Sequence, residues 1–236
     1  MDAAKDWNNK QKNVRAFLSE QKTFAKGKSL LSEMHSLLHD KKVYNTDTET
    51  FYDSLWDNLK EDTCGIISDK ETSILWNIWH ITRIEDLISN ITMGNKETIF
   101  NKEIQRKLNI GIEDTGNAMA YSDIESLNKN ISIKALKEYR VKTGKSTRKI
   151  IESLEYSDMK IKVTTEQLEK IKQNGGVVND PKSIWLLDFW GRKNIFGLLM
   201  MPITRHQMIH LSDCFRIKQK YNGLVREARD VFVRNK

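Results

Sequence analysis

Only two prolines, Pro181 and Pro202, and 11 glycines interrupt this chain of 236 residues. Both residue types break helices and build turns, so their scarcity argues against a turn-rich β architecture and for long helices. Cysteine is nearly absent too: Cys64 and Cys214 are too few for a disulfide framework, and nothing points to an oxidising compartment. No apolar run approaches the ~20 residues that a membrane span needs. Residues 1–6 lack the apolar core of a secretion signal. A reduced cytoplasm is therefore the expected location. Also missing are a phosphate-binding glycine loop, a nucleophile elbow and cysteine pairs at zinc-finger spacing.

Charge is plentiful: 30% of residues are charged, and 39 bases against 32 acids leave a formal net charge of +7. A basic surface can attract polyanions, but here the acids are interspersed with the bases along most of the chain. The densest basic cluster is Lys134, Lys137, Arg140, Lys142, Lys145, Arg148 and Lys149, opposed only by Glu138. It holds one aromatic, Tyr139, and matches no nucleic-acid motif. It reads as a solvated helix face, and nucleic acid is not the expected partner.

The hydrophobic periodicity predicts an all-α protein, with one domain over residues 1–236. A first long helix is expected over 13–39, and a short one carrying Phe51, Tyr52, Leu55, Trp56 and Leu59. Asp69 is a plausible N-cap for a helix over 70–92. A short helix at 96–108 precedes the irregular stretch 111–116. Ser132 caps a helix to about residue 156, which Gly144 could kink. Thr164 opens another helix through 172, stopped by Asn174-Gly175-Gly176. The last long helix spans about 203–221, followed by a charged tail. Residues 93–130 and 157–200 read as insertions or peripheral helices.

Three histidines sit where such a protein would normally place leucine. Ile203, His206, Gln207, His210, Cys214 and Ile217 form one core-facing stripe. Trp76, His80, Arg83, Ile84 and Leu87 form another. An unpartnered buried polar group costs about 1–3 kcal/mol, so each imidazole needs a partner. For a lone histidine, a hydrogen bond to a backbone carbonyl or to Glu85 is the ordinary answer. Three together favour a shared divalent ion, because side chains four apart on a helix lie about 5–6 Å apart and metal–nitrogen bonds are about 2.1 Å. His80, His206 and His210 are the candidate ligands. His35, Arg83, Gln207 and Cys214 are candidates for lining the same pocket. His35 and His39 otherwise read as capping residues at a solvated helix end, and Cys214 as a small hydrophobe.

The layout resembles the DinB/YfiT-like superfamily, bacterial four-helix bundles regarded as metalloproteins. The resemblance rests on Trp79-His80-Ile81-Thr82-Arg83-Ile84-Glu85-Asp86-Leu87 and on His206-Gln207-Met208-Ile209-His210. It covers most of the chain in layout, but its specific motifs occupy only those two helices. It implies a four-helix bundle with His80, His206 and His210 as metal ligands. It also implies a metal-dependent transferase, isomerase or hydrolase, with a small-molecule substrate such as a low-molecular-weight thiol. Zinc and nickel both suit imidazole ligands. Two departures stand out. Many relatives follow the last histidine with Arg-Gly-Gln, where this chain has Leu211-Ser212-Asp213, and the stretch between the histidine helices is longer than usual. Two other classes remain open: a non-catalytic bundle that senses a ligand or binds a partner, and a stress protein associated with nucleic acid. The aromatic cluster Trp185, Leu186, Phe189 and Trp190 predicts a homodimer, since six tryptophans crowd a small core.

Overall fold

The computed structural model describes residues 3–223. The protein is all-helical, about 70% helix, with no strand among the described residues. An isolated antiparallel bridge joins Lys162 to Asn194. No helix among them is long and apolar enough to cross a membrane. The charged tail expected at the C-terminus lies largely outside the described residues.

In chain order the helices are α1 (Ala3–Leu18), α2 (Phe24–Leu37), α3 (Phe51–Trp56), α4 (Glu61–Cys64), α5 (Ile74–Asp86) and α6 (Lys102–Leu108). They continue with α7 (Tyr121–Asn130), α8 (Ile133–Ser153), α9 (Thr165–Gln173), α10 (Pro181–Gly191), α11 (Ile195–Met200) and α12 (His206–Tyr221). Two π-helical turns adjoin the histidine helices. One extends α5 through Leu87–Met93, and the other, Met201–Arg205, leads from α11 into α12. Such turns are rare and often sit at functional sites.

Helix starts follow capping chemistry. Ser73 accepts from the Trp76 amide at 3.0 Å and Asn101 from the Ile104 amide at 2.9 Å. Ser132 and Thr164 cap α8 and α9 as their sequence positions suggest, and Pro181 occupies the first turn of α10. Three expectations fail. The single helix over 13–39 is two helices, because residues 19–23 form a tight turn that folds α1 back against α2. Ser73, not Asp69, caps the histidine helix. The helix at 96–108 starts only at Lys102, because Asn101 supplies the cap. As expected, Ser132 opens a long helix here, and α8 runs 21 residues through Gly144.

α5 packs against α8 on one side and α12 on the other, while α2 packs against α8 and the turn feeding α12. Every residue of α5 from Ile74 to Asp86 is buried. A helix buried all round is usually apolar, yet α5 carries Asn77, His80, Thr82, Arg83, Glu85 and Asp86. Each buried polar group must find a partner inside the fold, and those partners define the candidate site. Asp86, for example, accepts from the backbone amides of Ile99 and Phe100, both at 2.8 Å, and from the Tyr139 hydroxyl at 2.7 Å. This pins the loop after the π turn to α8.

The basic cluster on α8 is not uniformly solvated: Arg140 is fully buried. The crowding of tryptophans is also less than expected, since Trp185 alone of the six is exposed. Leu186 and Trp190 point into the fold, so the predicted dimer surface shrinks to the edge of one helix.

Candidate metal centre

α5 and α12 lie side by side, and their contact brings together His80, His206 and His210, with ligand nitrogens all within 4.8 Å of one another. The rings form a compact triangle, with centroids 5.0, 4.6 and 4.5 Å apart. Trp76, one turn before His80, stacks on its ring at 4.7 Å with planes only 10° apart.

The hydrogen bonds behind the triangle determine which nitrogens are free. His80 Nδ1 lies 2.7 Å from the Thr115 carbonyl, which only accepts, so Nδ1 carries the proton and Nε2 presents a lone pair. Asn77 donates its amide to the Ser73 carbonyl at 2.7 Å, so its oxygen faces His210 Nδ1 at 2.6 Å. His210 therefore also donates through Nδ1 and keeps a lone pair on Nε2. His206 Nε2 stands 3.2 Å from His80 Nε2, while its buried Nδ1 has no partner. Whichever tautomer His206 adopts, the protein alone leaves one of its ring nitrogens unsatisfied.

A divalent ion would use the three Nε2 lone pairs and relieve the 3.2 Å contact between two of them, while His206 Nδ1 keeps its proton without a protein partner. With metal–nitrogen bonds of about 2.1 Å, tetrahedral ligands stand about 3.4 Å apart, close to the 3.2 Å between the two Nε2 atoms. Anchoring a ligand histidine through its other nitrogen is the usual outer support of a metal site. The donor set fits the ion.

Loop 113–116 provides the scaffold. Its four consecutive carbonyls receive four side chains from α5: Arg83 Nε at Glu113 (2.6 Å), Trp79 Nε1 at Asp114 (3.0 Å), His80 Nδ1 at Thr115 (2.7 Å) and Trp76 Nε1 at Gly116 (3.2 Å). Gly116 has φ +79°, and a Cβ there would stand 2.9 Å from Trp76 Nε1, so the turn needs glycine on both counts.

Burial, reinforced by neighbouring imidazoles, pushes His80, His206 and His210 each down to about 3. All three are neutral at pH 7, the form that binds a metal. His39 falls to about 3 as well: burial lowers it, Glu85 opposes, and Arg140 and His35 lower it again. These values lie below the ~6.5 of an unfolded-chain histidine. Between pH 3 and 6.5 the unfolded chain therefore binds more protons, so stability is complete above that window and falls with pH through it. Chelator-treated protein is expected to lose about 2–3 kcal/mol between pH 7 and pH 6. Urea titrations at both pH values measure this, and equal midpoints would contradict neutral buried imidazoles.

None of the four residues expected to line the pocket does so. Arg83 is spent on the Glu113 and Asn174 carbonyls, and Cys214 is fully buried elsewhere on α12, its thiol pushed up by burial. His35 and Gln207 join a second cluster with His39, Glu85 and Arg140, all fully buried. This corrects the reading of His35 and His39 as solvated caps. Glu85, expected beside His80, instead receives His35 Nε2 at 2.8 Å and Gln207 Nε2 at 2.9 Å, with Arg140 Nη1 3.8 Å away. Arg140 also donates to the Gln207 oxygen at 2.8 Å and the Leu38 carbonyl at 2.7 Å. His39 Nε2 approaches Glu85 at 3.1 Å, off the line of a hydrogen bond.

His35, His39 and Glu85 are also close enough to hold a cation, but the charges argue otherwise. Burial alone would raise Glu85, yet His39 and His35 outweigh it and hold the carboxyl well below the usual carboxylate range. Glu85 and the permanently charged Arg140 then balance each other. A divalent ion added there would leave uncompensated positive charge in a water-free core. The cluster is a structural ion pair with its hydrogen-bond partners.

Residues that sequence reasoning did not pick out include Asn77, Thr115 and Asn117. Asn117 lines the cavity beside the three imidazoles and hydrogen-bonds Thr115 Oγ1 at 2.7 Å. The only advance signals were the position of Asn77 one turn before His80 and the irregularity of 111–116. Neither a scan against protein-family models nor a search of curated proteins returns a match for this chain.

Proposed function

We propose that the protein is a metal-dependent enzyme of the DinB-like four-helix-bundle type, with His80, His206 and His210 holding a zinc or nickel ion. The observation that carries this reading is the convergence of three imidazoles with ligand nitrogens within 4.8 Å of one another, two of them held with Nε2 unprotonated. Three neutral protein ligands leave a coordination position for substrate, as in catalytic rather than closed structural sites. The ion would supply Lewis acidity toward a donor atom of the substrate, a thiol in the type of reaction the resemblance implies. The chain's own residues perform the rest. Asn77 and the Thr115 carbonyl orient two of the imidazoles, Trp76 braces His80, and the apolar lining keeps water away from the reacting atoms. Among the described residues no carboxylate lines the cavity to act as a general base, so lowering the pKa of a bound nucleophile would fall to the ion.

Elemental analysis of protein purified without a histidine tag tests the reading. One equivalent of zinc or nickel per chain is expected. Metal-free protein that also fails to take up either ion on titration would reject it and leave a non-catalytic bundle.

A further inference from the structure

The cavity next to the imidazoles measures about 300 Å³. Helix α10 supplies Trp185, Leu186, Phe189 and Trp190 to its wall, and the π turn supplies Met201 and Pro202. Among the described residues, Asn117 is the only polar lining residue besides the three histidines, and no Lys, Arg, Asp or Glu lines it. The charged pairs nearby in sequence are engaged with each other: Lys70 with Asp213 at 2.8 Å, and Arg192 with Asp188 at 2.7 Å.

We propose that this cavity selects a small molecule with an uncharged aromatic or branched aliphatic body and a single metal-binding donor atom, and rejects ligands that carry carboxylate or phosphate groups. The proposal rests on reading the imidazoles as the ion's ligands, and it narrows the substrate class. A ligand's donor atom meets the ion's positive charge, but a further ionised group on its body would lie against the apolar lining, losing hydration without finding a side-chain counter-charge. An aromatic body loses nothing by leaving water and gains the tryptophan and phenylalanine faces. Size points the same way. An apolar cavity of about 150 Å³ accommodates one benzene ring, so about 300 Å³ holds a ring with a short arm reaching the imidazoles.

The rim is built for the same kind of guest. Trp185 is 47% exposed, which is unusual for so large an apolar ring, yet it is not slack. Its indole nitrogen donates to the Lys182 carbonyl at 2.9 Å, and its ring meets Phe189 edge-on at 5.7 Å. An exposed aromatic held in place beside an apolar cavity is a ready contact surface for a ring entering or leaving.

Three probes separate body from donor: benzyl mercaptan, ethylbenzene and mercaptosuccinate. Each is titrated into chelator-treated and zinc-loaded protein, with tryptophan fluorescence and calorimetry as readouts. Zinc-loaded protein is expected to bind benzyl mercaptan at least tenfold tighter than mercaptosuccinate. Ethylbenzene should bind both forms with similar affinity. Phe189→Arg, checked for folding by circular dichroism, should narrow or reverse the preference by giving mercaptosuccinate a counter-charge. Mercaptosuccinate binding as tightly as benzyl mercaptan, or ethylbenzene binding neither form, overturns the proposal. Failure to load zinc while ethylbenzene still binds overturns the metal reading but supports the apolar selection.

Discussion

Replacing His80, His206 or His210 singly with alanine is expected to reduce stoichiometric zinc or nickel from one equivalent to less than a tenth of one under dialysis. Each imidazole is one of only three protein donors, and two of them are fixed for the ion by Thr115 and Asn77. Loss of an outer partner of a metal ligand typically costs about 10–100-fold in affinity, so loss of a ligand itself should cost more. Asn77→Ala, which frees the His210 ring without removing it, should fall in the 10–100-fold range. His39→Ala should leave the stoichiometry unchanged in the folded fraction, because its ring faces Glu85 rather than the triangle. Equal metal content in the wild type and all three ligand variants would reject the assignment, as would loss of metal in His39→Ala alone.

Why the triangle was legible in the sequence is a matter of period. His206 and His210 sit on a stripe of buried side chains that recurs every 3.6 residues, and so does His80 on α5. A polar residue in such a stripe is conspicuous without any tertiary knowledge. The supports were far less visible. Thr115 contributes a backbone carbonyl, which every residue has, and the four carbonyls of 113–116 become acceptors only because the loop passes over α5. The Asp114-Thr115-Gly116 turn was recognisable as irregular, but not as a scaffold.

The second cluster misled in the opposite way. His39 is followed by Asp40-Lys41-Lys42, a pattern that reads as a helix end in water. In the fold, α8 closes over it, and Gly144 makes the approach possible: a Cβ there would stand 2.6 Å from His39 Nδ1. Gly144 is thus a packing residue. Arg140 was hidden by its neighbours, because in a run of lysines and arginines the inward-facing member carries no local mark. Its partners Glu85 and Gln207 are 55 and 67 residues away in the chain, so only the tertiary fold reveals that it is the buried one.

That cluster carries the largest expected effect on stability. His35 of α2, Glu85 of α5, Arg140 of α8 and Gln207 of α12 meet in the core, one from each helix. Arg140→Met keeps the volume and the apolar stem but leaves the Glu85 carboxylate buried without its counter-charge. Breaking one partner of a buried pair costs about 3–5 kcal/mol, and for a chain of this length each kcal/mol lowers Tm by about 2–4 °C. Arg140→Met should therefore melt roughly 6–20 °C below wild type. Glu85→Gln, which keeps hydrogen-bonding atoms where the carboxylate was, strands the guanidinium instead and should cost a similar amount. Combining the two removes both charges, so the double variant should be clearly more stable than the sum of the single losses implies, with a coupling energy above ~1 kcal/mol. Urea denaturation of all four proteins measures the cycle. Strictly additive losses would mean that Glu85 and Arg140 do not offset each other.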